Sequence, residues 1–203
     1  MTDRVAFFAS QDLKHWEKTG EFGPEGNFME GVWECPDLFP LEDKWVLCFS
    51  RMDEPRCVQF VLGGFDGERF VPENLQRPAL GPNFYAPQSF VDHQGRRILL
   101  GWMERPMDRD EVRRGCLTVP LEPFFDDAGQ LCLFPVEEAQ PYLTQEDAHI
   151  RRGAWLFQVT DGEKILLERP ASAIWDVRVL SDTHTCEVFL NGGEQVCSFY
   201  FQP

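Results

Sequence analysis

Trp33-Glu34-Cys35-Pro36-Asp37-Leu38-Phe39-Pro40-Leu41-Glu42-Asp43-Lys44-Trp45-Val46-Leu47-Cys48-Phe49 sets two apolar, aromatic-rich runs on either side of a short acidic turn. That is the pattern of strand, turn, strand, and it recurs along the chain. Cys57–Leu62 and Arg69–Val71 flank Gly63-Gly64-Phe65-Asp66-Gly67, and Ser89–Val91 and Arg96–Trp102 flank Asp92-His93-Gln94-Gly95. Pro123–Phe125 and Gln130–Phe134 flank Asp126-Asp127-Ala128-Gly129. Trp155–Thr160 and Glu163–Leu167 flank Asp161-Gly162, and Glu187–Leu190 and Glu194–Phe201 flank Asn191-Gly192-Gly193. Asp-Gly and Asn-Gly between apolar runs are hairpin signals because both residues tolerate positive φ. A meander of such units predicts an all-β chain of propeller or sandwich type. One short helix is expected at Pro135–Gln140, with a first-turn proline, two early acids and Pro141 as its stop. Polar residues follow it, so 135–150 reads as a linker between two β regions.

Bulk properties narrow the function. At 203 residues and 43% hydrophobic content the chain has room for a real core. Its formal net charge of −15 repels phosphate backbones and anionic lipid, which argues against nucleic-acid and membrane partners and is compatible with a neutral sugar. Seven cysteines without a Cys-x-x-Cys pair read as scattered, reduced, mostly buried thiols of a cytoplasmic protein. No leader-like or membrane-length apolar run is present. His15, His93, His149 and His184 show no ligand spacing, so neither a metal nor another cofactor is expected.

Glu34 is the candidate catalytic group. Pro36 is expected to hold Cys35 extended, so that stiff backbone presents the acid. A carboxyl beside Trp33 with little water around it stays protonated longer, which suits a general acid. Asp37, three residues on in an extended segment, points to the opposite face and is not expected to be its partner. Asp53, Asp66 and Asp92 lie in turns, where acids serve backbone geometry. Cys35 reads as structural, because no nearby histidine or cationic run lowers its pKa. At least one of Trp33 and Trp102 is expected in the core, and Tyr85 either lines a sugar site or stacks within a sheet.

The Trp33–Pro40 stretch resembles the acid/base strand of glycoside hydrolase family 32, the invertases, sucrose-6-phosphate hydrolases and fructan hydrolases. Other landmarks agree in order. Ser10-Gln11-Asp12-Leu13-Lys14-His15-Trp16 is similar to the family's Ser-x-Asp-Leu-x-x-Trp step. Phe84–Phe90 and Gly95–Trp102 resemble its Tyr-Ala-x-Gln and Gly-Trp strands. Leu117–Pro120 with Leu131–Pro135 resembles the end of its propeller, and Cys186–Glu194 its closing hairpin. The resemblance implies a partial five-bladed β-propeller over 1–134, the 135–150 linker and a shortened C-terminal β-sandwich over 151–203. It implies Glu34 as the acid/base and Trp33, Cys35, Tyr85 and Trp102 as sugar-binding candidates.

The family's Asn-Asp-Pro strand, which carries the nucleophilic aspartate, and its Arg-Asp-Pro motif do not occur in these residues, and Pro-Arg-Glu is altered to Pro120-Leu121-Glu122. A retaining glycosidase needs two carboxyl groups about 5–5.5 Å apart, and Glu34 fills one role. The expectation is therefore a β-fructofuranosidase fragment that is inactive alone. The alternatives are a non-catalytic sugar- or protein-binding module, or a split enzyme. Unclosed faces at Ser10–Trp16 and Gly101–Pro120 predict a homo-oligomer or a partner chain that supplies missing blades.

Overall fold

The structure, a computed structural model, describes residues 3–23, 31–53, 56–76, 80–104 and 115–201. Strands and three short 3₁₀ turns make up its regular structure among the described residues, so the chain is all-β. It divides into two compact units, Met1–Arg77 and Pro78–Pro203.

The first unit opens with the hairpin β1 (Val5–Ala9) and β2 (Glu17–Phe22). Its turn is built by side chains: Ser10 Oγ accepts the Leu13 N–H at 2.8 Å, and Asp12 Oδ1 accepts those of Lys14 and His15, each at 2.8 Å. An antiparallel meander follows, β3 (Trp33–Leu41), β4 (Lys44–Arg51), β5 (Cys57–Phe65) and β6 (Phe70–Gln76), in that spatial order. Val46–Arg51 are buried without alternation, so both faces of β4 are covered. On one face Val5, Phe7 and Phe22 of the hairpin pack against Trp33, Phe49 and Val61.

In the second unit, β7 (Phe84–Val91), β8 (Arg97–Glu104), β10 (Leu121–Phe125) and β11 (Leu131–Pro135) form a sheet in the order β11-β10-β8-β7, and β9 (Gly115–Leu117) also pairs with β8. Two three-stranded sheets follow. One holds β12 (Ile150–Arg152), β13 (Leu156–Asp161) and β14 (Lys164–Pro170); the other holds β15 (Val177–Ser181), β16 (Thr185–Leu190) and β17 (Gln195–Tyr200). Phe157, Val159 and Leu167 of the first share a buried cluster with Val179, Val188 and Phe199 of the second. Residues directly across a ladder share a face, so Leu180, Glu187 and Ser198 stand on the other side of β15–β17. That side meets the β7–β11 sheet, where Phe189 packs edge-on against Phe134 with ring centres 5.9 Å apart.

Each hairpin expected from the sequence pairs as anticipated. The turn acids do backbone work: Asp66, Asp92 and Asp126 each accept two main-chain N–H groups at 2.7–2.9 Å. The expected helix is instead a 3₁₀ turn, Glu137–Tyr142, with Pro141 inside it. Its bonds run Ala139 N–H to the Val136 carbonyl and Leu143 N–H to the Gln140 carbonyl, so no donor is required at 141. The segment 135–150 lies within the second unit. All seven cysteines are free; Cys48, Cys132, Cys186 and Cys197 are buried, whereas Cys35 and Cys116 are exposed.

Candidate active site

Glu34 stands at a β-bulge. It lies opposite Ser50 on β4, and Asp37 lies opposite Cys48, so Cys35 and Pro36 together face the single residue Phe49. Cys35 takes a φ of +49°, which corrects the expectation that Pro36 would hold it extended. A residue before proline is pushed out of the right-handed α region, and here it goes to positive φ so that the extra residue fits.

The bulge also overturns the expected placement of Asp37. Ser50 and Cys48 are two apart on one strand and share a face, and their ladder partners share it too. Glu34 and Asp37 therefore stand on the same side of the sheet. Electrostatics agree: burial first, then the Asp37 and Cys35 groups, raise the Cys48 thiol well above its ordinary range. Burial first, then the Glu34 carboxylate, raises that of Cys35. Cys35 is thus an exposed thiol beside the acid, held away from the thiolate form a nucleophile needs.

Trp33 is on the other face. No bulge separates it from Glu34, its exposure is 7%, and its indole stacks on Phe49 with ring centres 4.0 Å apart and planes 17° from parallel. It anchors the strand that carries Glu34. The start of that strand is also fixed by Asp53, which accepts the Val32 N–H at 3.1 Å and an Arg51 guanidinium N–H at 2.8 Å. The Arg51 hydrogen bond is the main reason the Asp53 carboxyl sits below its usual range.

The same device recurs in the second unit. Tyr85 lies opposite Trp102 and Gln88 opposite Leu100, with Ala86 at φ +45° before Pro87. Trp33-Glu34-Cys35-Pro36-Asp37 and Phe84-Tyr85-Ala86-Pro87-Gln88 thus share one backbone design: aromatic, presented residue, positive-φ residue, proline, polar residue. The structure brings Tyr85 and Trp102 together as a cross-strand pair on one face, Tyr85 buried and Trp102 half-buried. Gly101 lets the strands approach, since a Cβ there would lie 2.5 Å from the Phe84 ring.

Residues distant in sequence hold this pair. Thr118 bonds twice to Gly101, its N–H to the Gly101 carbonyl at 2.9 Å and its Oγ1 accepting the Gly101 N–H at 3.1 Å. Asn83 Nδ2 donates to the Glu104 carbonyl at 2.7 Å, and Asn83 Oδ1 accepts the Tyr200 N–H at 3.0 Å. Nothing local in the sequence points to these bonds, although Thr118 falls within the Leu117–Pro120 landmark, because the partners are 17 to 117 residues away.

Comparison with known proteins agrees with this architecture. Residues 1–135 match the glycosyl hydrolases family 32 N-terminal domain. The sucrose-6-phosphate hydrolase of Salmonella typhimurium is 30% identical over 257 aligned residues, covering 98% of this chain and 55% of the relative. The levanase of Bacillus subtilis is 32% identical over 163 residues, covering 68% of this chain and 24% of the relative. Among solved structures, a Bombyx mori β-fructofuranosidase superposes with a TM-score of 0.78 at 20% identity, over 98% of this chain and 55% of that one. An exo-inulinase from Aspergillus awamori gives 0.76 at 18% identity, over 99% and 57%. The chain therefore spans little more than half the length of the hydrolase and about a quarter of the levanase.

Proposed function

The chain belongs to glycosyl hydrolase family 32, and from that membership we propose that its 203 residues carry the acid/base half of a β-fructofuranosidase-type enzyme. Its substrates would be β-fructosidic bonds of sucrose, sucrose phosphate or fructans, the chemistry named for its relatives. The observation that carries this reading is Glu34. It sits at a strained bulge inside the matched residues, on a strand braced from its other face by Trp33. In this reading Glu34 protonates the leaving glycosidic oxygen and then activates water. Within the second unit Tyr85 and Trp102 form an aromatic wall for sugar, and within the first Cys35 stands beside the acid. The β3–β6 and β7–β11 sheets are then blades of a partial five-bladed propeller over 1–134, with a linker at 135–150 and a shortened sandwich over 151–203. The reading needs no cofactor, and seven free thiols suit the cytoplasm.

Retaining hydrolysis needs a second carboxylate, and neither Asn-Asp-Pro nor Arg-Asp-Pro occurs in these residues. These 203 residues alone should give no turnover of sucrose or inulin above background in a reducing-sugar assay, and Glu34→Gln should leave that result unchanged. A titration with fructose should still report binding, lost in Trp102→Ala. Sucrose turnover that Glu34→Gln abolishes would overturn the half-site reading and make Asp37, on the same face, the first nucleophile to test. Fructose binding without turnover also fits a sugar-binding module, a reading favoured by the Tyr85–Trp102 pair. Reconstitution with a polypeptide bearing the missing aspartates separates the two, because only the half-enzyme gains activity.

A further inference from the structure

Glu187 is a carboxylate in the wrong place for ordinary surface chemistry. It lies mid-strand on β16, its exposure is 5%, and it faces the β7–β11 sheet. Its Oε1 accepts the Val119 N–H at 2.7 Å, and its Oε2 meets the Ser198 hydroxyl at 3.3 Å. The Val119 bond joins residues 68 apart and leads straight to the candidate sugar wall. Val119 follows Thr118, Thr118 is bonded twice to Gly101, and Gly101 precedes Trp102. The far side of the wall is tied to the same sheet. Ser198 N–H donates to the Leu80 carbonyl at 3.1 Å, and the Asn83 N–H donates to the Ser198 carbonyl at 3.3 Å, just before Phe84 and Tyr85. Gly81 permits this suture: it holds φ +76°, and a Cβ there would lie 2.5 Å from Ser198 N.

We propose that Glu187 is a proton-operated clasp, a positioning residue whose neutral carboxyl group fastens the Thr118–Pro120 segment, and through it the Trp102 strand, to the β15–β17 sheet. In the neutral form one carboxyl oxygen accepts the Val119 N–H and the other accepts the Ser198 O–H, and no charge is buried. Ionisation releases the proton to solvent and leaves a buried negative charge with two neutral donors and no cation. Opening the clasp lets that charge reach water.

No charged neighbour enters the balance at Glu187, where burial and two hydrogen bonds are the causes; on the β7–β11 sheet the face that carries Phe134 also carries Tyr85, Glu104, Glu122 and Cys132, none of them a cation. On β15, Arg178 is on the same face but lies opposite Phe189, and it pairs with Asp176 at 3.2 Å. On β17 the nearby groups are Cys197 and Tyr200, and Cys186 flanks Glu187 on its own strand. Cys116 and Glu122 flank the clasped segment. Burial drives both Cys186 and Cys197 upward, so they remain thiols through neutrality. Burial likewise raises the Glu187 carboxyl, outweighing the two hydrogen bonds that lower it, from 4.5 to about 7. A folded value above the unfolded one means that the closed state holds the proton more tightly. Closure is therefore strongest below the ordinary glutamate range, weakens as pH rises from there to about 7, and levels off above.

Amide hydrogen exchange over Cys116–Leu121, corrected for intrinsic rates, tests the clasp between pH 5 and 8.5. Protection should fall by up to about tenfold per pH unit until neutrality. In Glu187→Gln, which keeps an acceptor for Val119 and cannot ionise, protection should be flat. Should that variant fail to fold, Ser198→Ala gives the same test: losing one donor to the ionised form should move the midpoint upward. Parallel pH slopes in wild type and Glu187→Gln, or an unmoved midpoint in Ser198→Ala, would overturn the proposal. The consequence for sugar rests on Tyr85 and Trp102 lining the site, and fructose titration over the same pH range reads it separately. A pH-dependent clasp with no fructose binding would sink the site reading and leave the clasp standing.

Discussion

Cys35 and Ala86 carry the backbone that decides where Glu34 and Tyr85 point. Both hold positive φ immediately before a proline, at φ +49° and +45°, which for a residue with a Cβ costs of order 1–3 kcal/mol. That cost is tolerated twice, at equivalent places in two sheets, each time beside the residue read as sugar-facing. Ala86→Gly should relieve it. Glycine adopts this conformation freely, at the expense of unfolded-state entropy, so the net change expected is neutral to about 1 kcal/mol of stabilisation. A urea midpoint measures it. A loss of the size usual for Ala→Gly within a strand would show that Ala86 does not hold positive φ in solution.

At the scale of the element, β3 is a strand with two separate duties. Its Trp33 face belongs to the apolar cluster with Phe49, Phe22 and Val61, and its Glu34 face belongs to the candidate site. Trp33→Ala should cost about 3–5 kcal/mol by emptying a stacked position in the first unit's core, read by urea unfolding followed by circular dichroism. Trp102→Ala should behave differently, because its indole is only half-buried. Its stability loss should be smaller and its loss of fructose binding larger. Equal unfolding losses in the two variants, with fructose binding intact, would place Trp102 among the core aromatics instead.

At the scale of the whole molecule, charge and strand edges oppose each other. The β1–β2 sheet has only two strands, so each strand has a side without a ladder partner among the described residues, and Leu13 and Trp16 at its turn are 77% and 55% exposed. The second face expected to be open, Gly101–Pro120, includes residues 105–114, which lie outside those described. A net charge of −15 resists close approach of two copies, and salt screens it. Sedimentation at micromolar concentration should find a dimer that strengthens as salt is raised to about 0.5 M, where the screening length falls below 5 Å. A monomer with one cooperative melt at every salt concentration would end the open-face argument.

The hairpins were readable because turn chemistry and apolar runs are local: Asp and Gly set the turn, and the residues beside it set the strands. The family was readable because Trp33–Pro40, Phe84–Phe90 and Cys186–Glu194 are contiguous motifs. The facing of side chains was not. A period-two argument puts Asp37 opposite to Glu34, and one extra residue in the strand reverses that answer. The extra residue exists because the β4 ladder closes around it, which no window of β3 alone contains. Glu187 was hidden for a related reason. Within Cys186–Leu190 it is one acid in an apolar strand, and only the packing of β16 between two sheets removes its water and brings Val119 to it. Local chemistry thus determined the strands and the turns, and contiguous motifs determined the family. Burial and ladder register, which depend on residues far apart in the chain, decided which groups share a face and which carboxyl group is taken out of water.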